Sequence, residues 1–245
     1  MRRIRLYVDA PLQTGQLFEL PQRAAEHAVR VLRLREGDGV VLFNGDGHDY
    51  NAVLTDVGKR HGTVQVVEAD RVASESPLTL TLAQGVARGE KMDLIVQKAT
   101  ELGVTRIVPL LTERSEVKLD AARADKRLAH WLAVAASACE QCGRAVLPQI
   151  DAPMALDHWL REPSNTLPTT RLALLPVATL RPRELDSSLH EALLLVGPEG
   201  GLGERDLAAL QPHGFEGLNL GPRILRTESA GLAALAALQT LYGDM

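Results

Sequence analysis

Leu193-Leu194-Leu195-Val196-Gly197-Pro198-Glu199-Gly200-Gly201-Leu202-Gly203 runs from a continuous apolar segment straight into a glycine-rich turn. Consecutive aliphatic residues bounded by turn formers read as a strand buried on both faces, the signature of a parallel sheet covered by helices. Four glycines within residues 197–203 let the main chain turn sharply and approach a ligand where a Cβ would intrude. The spacing is not a G-x-G-x-x-G that opens a helix, which argues against a dinucleotide fingerprint.

The same rhythm extends in both directions from this stretch. Leu78–Ala83, Thr105–Leu110, Arg171–Leu175, Ala192–Gly197 and Phe215–Leu220 read as strands. Lys91–Leu102, Ala121–Cys142, Glu204–Leu210 and Thr227–Leu241 read as helices. Strand-helix alternation predicts an α/β domain with a mostly parallel sheet, its ligand loops beyond the carboxyl ends of the strands. Residues 161–170, with two prolines, read as a surface loop.

Upstream the pattern changes. Ile4–Val8, Gly39–Asn44, Ala52–Val57 and Gly62–Glu68 are short apolar runs separated by Gly/Asp turns, as in a small closed or partly closed antiparallel barrel. One helix over residues 21–32 interrupts them. The polar stretch 70–77, ending in proline, is the linker. The chain thus divides into residues 1–72, a small β-barrel, and residues 73–245, an α/β domain.

Composition narrows the function classes. At 245 residues and 45% hydrophobic content the chain buries a substantial core, and only 3% of its residues are aromatic, so base stacking on exposed rings is a minor device. A formal net charge of −4 argues against a protein that coats nucleic acid. A local basic face remains, in Arg2, Arg3, Arg5, Arg23, Arg30, Arg33 and Arg35. No apolar run is long enough to span a bilayer, and the N-terminus lacks a signal-peptide core, so a cytoplasmic location is expected. Cys139 and Cys142 read as free thiols in a helix, because no further ligands complete a metal set; no metal is expected. Neither a G-x-S-x-G elbow nor a P-loop is present.

A second loop, Leu218-Asn219-Leu220-Gly221-Pro222-Arg223-Ile224-Leu225-Arg226-Thr227-Glu228, follows a strand and feeds the last helix with Thr227 as N-cap. Arg223 and Arg226 suit a phosphate or carboxylate. Glu228 in a first helical turn is accounted for by the helix dipole. Lys98 and Glu101 are spaced for an intrahelical pair. Arg88, Lys91, Arg114 and Lys118 are candidate RNA contacts, with a solvated surface as the plain alternative.

Taken in order, His27 with Val31-Leu32-Arg33, Arg88-Gly89-Glu90-Lys91-Met92, Gln97–Gly103, Glu113-Arg114, Cys139–Arg144, Gly197–Gly201 and Leu220–Glu228 resemble the ribosomal RNA small subunit methyltransferase E family. These are uridine-N3 methyltransferases of 16S rRNA in the trefoil-knotted SPOUT class. The resemblance implies a PUA-like RNA-binding barrel, a knotted α/β methyltransferase domain, S-adenosyl-L-methionine as cofactor and a homodimer acting on 16S rRNA within the small subunit, with no DNA or membrane partner. It implies a cofactor site from Leu174, Leu175, Pro176 and Val177, from Val196, Gly197, Pro198, Glu199, Gly200 and Gly201, and from Leu220, Gly221, Pro222, Arg223, Ile224 and Leu225. Pro176 stands where relatives commonly carry a polar residue, often histidine. Uridine N3 must lose its proton during methylation, which makes Arg226 and Arg33 candidates for stabilising the developing charge and Glu228 a candidate base. A ribose 2'-O methyltransferase of the same class and a catalytically silent ribosome-assembly factor are the alternatives.

Overall fold

A computed structural model describes residues 4–58, 60–117, 120–162 and 167–245; Arg2, Arg3 and Lys118 lie outside them, as does part of the expected 161–170 loop. The chain forms two compact units, Met1–Glu75 with Ala136–Leu147, and Ser76–Ala135 with Pro148–Met245.

In the first unit, β1 (Arg5–Tyr7) and β2 (Leu17–Glu19) precede α1 (Gln22–Glu26), and β3 (Gly39–Phe43), β4 (His48–Val57) and β5 (Gly62–Arg71) complete a five-stranded sheet of order β1-β3-β4-β5-β2. Alternation places Val40, Leu42, Ala52, Leu54, Val64 and Val66 in one core with Leu6, Val8 and Ala25. The expectation of an all-antiparallel sheet needs correction, because β1 runs parallel to β3. The expected helix over 21–32 is interrupted. After α1 the backbone widens into a π-helical turn, His27–Val31, with Leu32 N–H donating to His27 O, and Arg33 turns the chain at φ 57°.

In the second unit, β6 (Thr79–Gly85), α2 (Lys91–Glu101), β7 (Arg106–Leu111), α3 (Ala121–Cys142), β8 (Gln149–Ile150), β9 (Met154–Ala155), α4 (Leu156–Arg161), β10 (Thr170–Leu174), β11 (Glu191–Val196), α5 (Glu204–Leu210), β12 (Glu216–Leu218) and α6 (Thr227–Tyr242) follow in order. The last turns of α3, from Ala136, belong to the first unit. The seven-stranded sheet has the order β12-β10-β11-β6-β7-β8, with β9 also on β7, and every pairing is parallel. Both faces are covered. Leu80, Leu82, Leu172, Leu194 and Val196 pack with α2 and α6 on one side, while Ala83, Ala173, Leu193 and Leu195 pack with α4 and α5 on the other. The unbroken apolar run of β11 is this double burial written in sequence.

Candidate functional site

The carboxyl ends of β10, β11 and β12 open into three loops around a cavity of about 570 Å³, within the size range of small-ligand and cofactor sites. Leu174, Leu175 and Pro176 come from the first loop, Val196–Glu199 with Gly201 from the second, and Leu220, Gly221 and Arg223–Glu228 from the third. Of the expected cofactor residues, Val177, Gly200 and Pro222 do not line it, and Val177 is 89% exposed.

The main chain of the second loop is folded on itself. Gly201 N–H donates to Pro198 O at 2.8 Å, with Gly201 at φ 70°, and a Cβ at Gly197 would stand 2.8 Å from the carbonyl carbon of Gly201. Gly197 thus has no room for a side chain, and the left-handed backbone at Gly201 favours glycine.

The first and third loops are joined by Asn219, a buried side chain that carried no signal in the sequence beyond its place at a strand end. Its Nδ2 donates to Pro176 O at 2.7 Å, and its Oδ1 accepts from Gly221 N–H at 2.6 Å and from the Arg181 guanidinium. Leu175 N–H donates to Leu218 O at 3.0 Å. Pro176 therefore takes part through its carbonyl, which proline retains.

Charge collects on one wall. Lys91 Nζ lies 3.1 Å from Glu199 Oε1 and 3.8 Å from Glu228 Oε2. Glu199 Oε1 also accepts from Arg88 N–H at 3.1 Å. Burial alone would raise the Glu199 pKa, but backbone N–H donors at Glu199 and Arg88, with the Lys91 ammonium, outweigh it and hold the carboxyl below its ordinary value. Glu228 Oε2 is buried without a hydrogen bond among the described residues.

The other expected cations divide between open and engaged positions. Lys91 is held between the two carboxylates, Arg114 donates to Gly200 O at 3.1 Å, and Arg88 pairs with Glu116 at 2.6 Å. Arg223 and Arg226 line the cavity and are exposed. Arg226 takes the N-cap position of α6, so Thr227 is the first helical residue rather than the cap. Arg23, Arg30 and Arg33 are exposed in the first unit. Arg5 is a correction to the basic patch: its side chain is 9% exposed, paired with Asp49, donates to Arg144 O at 2.9 Å and stacks 4.6 Å over the Phe43 ring. A guanidinium so enclosed has no free face for a phosphate.

Neither Cys139 nor Cys142 forms a disulfide, and the hydrogen bond with the Cys142 thiol, together with burial, pushes Cys139 well above the ordinary thiol range. No metal-binding group of three or more His, Cys, Asp or Glu occurs among the described residues. No described helix is long and apolar enough to cross a membrane.

Residues 74–239 match the model of an RNA methyltransferase domain, and residues 20–67 that of an RNA methyltransferase PUA domain. A Legionella pneumophila methyltransferase solved in complex with SAM is 40% identical, with TM-score 0.94 over 100% of both chains. A Neisseria gonorrhoeae ribosomal RNA small subunit methyltransferase E bound to S-adenosyl methionine is 38% identical, with TM-score 0.92 over 99% of both chains. The Buchnera aphidicola (Acyrthosiphon pisum) ribosomal RNA small subunit methyltransferase E is 31% identical over 240 residues, 98% of this chain and 94% of that one. With a domain match over more than half its length and such relatives end to end, the chain belongs to the RNA methyltransferase family that includes ribosomal RNA small subunit methyltransferase E, α/β enzymes of the trefoil-knotted SPOUT type with an N-terminal PUA-like barrel.

Proposed function

We propose that this chain transfers the methyl group of S-adenosyl-L-methionine to N3 of one uridine in 16S rRNA. The observation that carries the proposal is the three-loop cavity at the carboxyl ends of parallel strands, in a chain so similar to two proteins solved with this cofactor. The residues present fit such a ligand. Backbone N–H groups of Leu220, Ile224 and Leu225 have no acceptor among the described residues, which suits the ring nitrogens of an adenine. The glycine loop admits close main-chain approach.

When bound, the cofactor supplies an electrophilic methyl group on a sulfonium. Leu174 to Pro176, Val196 to Glu199 with Gly201, and Leu220, Gly221 and Arg223 to Leu225 hold it in this reading. Arg226, exposed at the cavity edge, stabilises negative charge developing on a uracil oxygen, and Arg33 of the first unit is the second candidate for that charge. Glu228 is the candidate acceptor of the N3 proton. Residues 1–72 serve RNA recognition, with Arg23, Arg30 and Arg33 as phosphate contacts, and residues 73–245 serve catalysis. A cytoplasmic homodimer acting on the small subunit completes the proposal, supported by the family resemblance and by the exposed apolar Val177 and Ile224 beside the site.

Labelled S-adenosylmethionine, small subunits lacking their native methylations and nucleoside analysis test the whole proposal. Label in 3-methyluridine is the expected outcome. Label in another nucleoside overturns the acceptor, and no label overturns the activity.

A further inference from the structure

We propose that Gln84 and Thr227 are positioning residues that set the shape of the cofactor loop through one relay of hydrogen bonds. The inference rests on the cofactor reading above. Gln84 is the penultimate residue of β6 and is fully buried; Thr227, the first residue of α6, is 7% exposed. Gln84 Nε2 donates to Gly85 O at 2.9 Å and to Thr227 Oγ1 at 3.0 Å. Thr227 Oγ1 then donates its single proton to Gly197 O at 2.6 Å.

The direction of the relay is fixed by its ends. Gly85 O and Gly197 O can only accept, so the hydroxyl must give its proton to Gly197 and can only accept from the amide. That orients the amide and turns Gln84 Oε1 the other way, where it is buried with no hydrogen-bond partner among the described residues. A Cβ on Gly231 would stand 3.4 Å from that oxygen, which places it against α6. An unsatisfied buried acceptor is costly. A leucine or methionine would fill the space without that cost, so the amide is explained by what its donors hold.

What they hold is the meeting of three segments. A Cβ on Gly85 would lie 2.5 Å from Pro198 N, so the end of β6 already abuts the glycine loop. The Thr227 hydroxyl joins the loop after β11 to the start of α6, where Arg226 and Glu228 reside. Neither side chain needs to touch a ligand to matter. Each fixes the main chain that would.

Thr227→Val removes the hydroxyl at nearly constant shape, Thr227→Ser keeps it, and Gln84→Met removes the amide donors. Calorimetric titration with S-adenosylmethionine is expected to show roughly five- to tenfold weaker binding for Thr227→Val and Gln84→Met, each of which breaks two hydrogen bonds of the relay, and near wild-type binding for Thr227→Ser. Hydrogen exchange of residues 197–202 should accelerate in the two weakened variants, while that of β3 and β4 stays unchanged. A purely structural role would lower the melting temperature and leave both the dissociation constant and this local exchange at wild-type values, and that result overturns the proposal. If wild-type protein does not bind the cofactor, the cofactor reading fails first and takes the relay's purpose with it.

Discussion

Replacing Gly197 by alanine adds one methyl group to the most crowded point of the site. The new Cβ would stand 2.8 Å from Gly201 C, 2.9 Å from Leu202 N and 3.0 Å from Gly201 Cα, all main-chain atoms that cannot rotate away. Reaching ordinary contact at 3.4 Å opens the loop by about 0.6 Å. Gly197 has no positive φ, so the effect is steric crowding rather than a backbone conformation denied to alanine. Overpacking of this kind costs about 1–3 kcal/mol. Because the strained segment is itself the cavity wall, the cost should appear as about five- to 150-fold weaker cofactor binding. Gly39→Ala is the matched control, for a Cβ there meets nothing nearer than Ala52 O at 4.0 Å. Calorimetry with S-adenosylmethionine, paired with thermal melting of both variants, reads the two effects. If Gly197→Ala binds and melts as wild type does, the loop is not the tight wall described, and the steric reasoning is refuted.

Four further outcomes are expected. Arg226→Ala should slow single-turnover methyl transfer by about 10²–10³-fold, as loss of a charge-stabilising donor does; an unchanged rate removes Arg226 from the chemistry. Arg5→Ala leaves the half-buried Asp49 without its partner and should cost about 1–3 kcal/mol in chemical denaturation. Arg23→Ala and Arg30→Ala, by contrast, should each reduce the salt slope of RNA binding by about 1, so a slope change for Arg5→Ala at equal stability would contradict its enclosure. The depressed carboxyl of Glu199 stabilises the folded state above the ordinary glutamate pKa of about 4.3, and that contribution is lost as pH falls through its lower folded value. The melting advantage of wild type over Glu199→Gln should therefore be present at neutral pH and vanish in strong acid; an advantage independent of pH would show that ionisation is not its source.

Legibility in the sequence followed the physics of burial. Leu193–Val196 and Leu78–Ala83 were readable as central strands because both faces of a parallel strand are apolar, and the turn after Val196 was readable because glycine has few other reasons to cluster there. Strand β2 gave no such signal: Leu17 is 66% exposed and its neighbours alternate with nothing buried deeply. The parallel seat of β1 on β3 and the π-turn at His27 depend on tertiary contacts that no local pattern encodes. Arg5 misled for a different reason. Composition can register a run of arginines but not that one of them has Asp49 and Phe43 waiting 44 and 38 residues downstream.

The residues missed at the site share one property, and it explains the site's design. Asn219, Gln84 and Thr227 each bind main-chain groups of the loops through their side chains, so none advertises itself as a catalytic type. Beside its charged wall, a cavity framed this way offers leucine side chains, glycine surfaces and free backbone N–H groups to a ligand. Such a surface recognises by shape and by donor position, which a loop supplies only when its backbone is held still. The same economy limits what mutation of lining side chains can reveal: Leu174 or Leu220 can change with little loss of donor geometry, whereas a methyl group at Gly197 or a missing hydroxyl at Thr227 moves the frame itself. Sensitivity to substitution in this site should therefore track what holds the main chain rather than what faces the cavity.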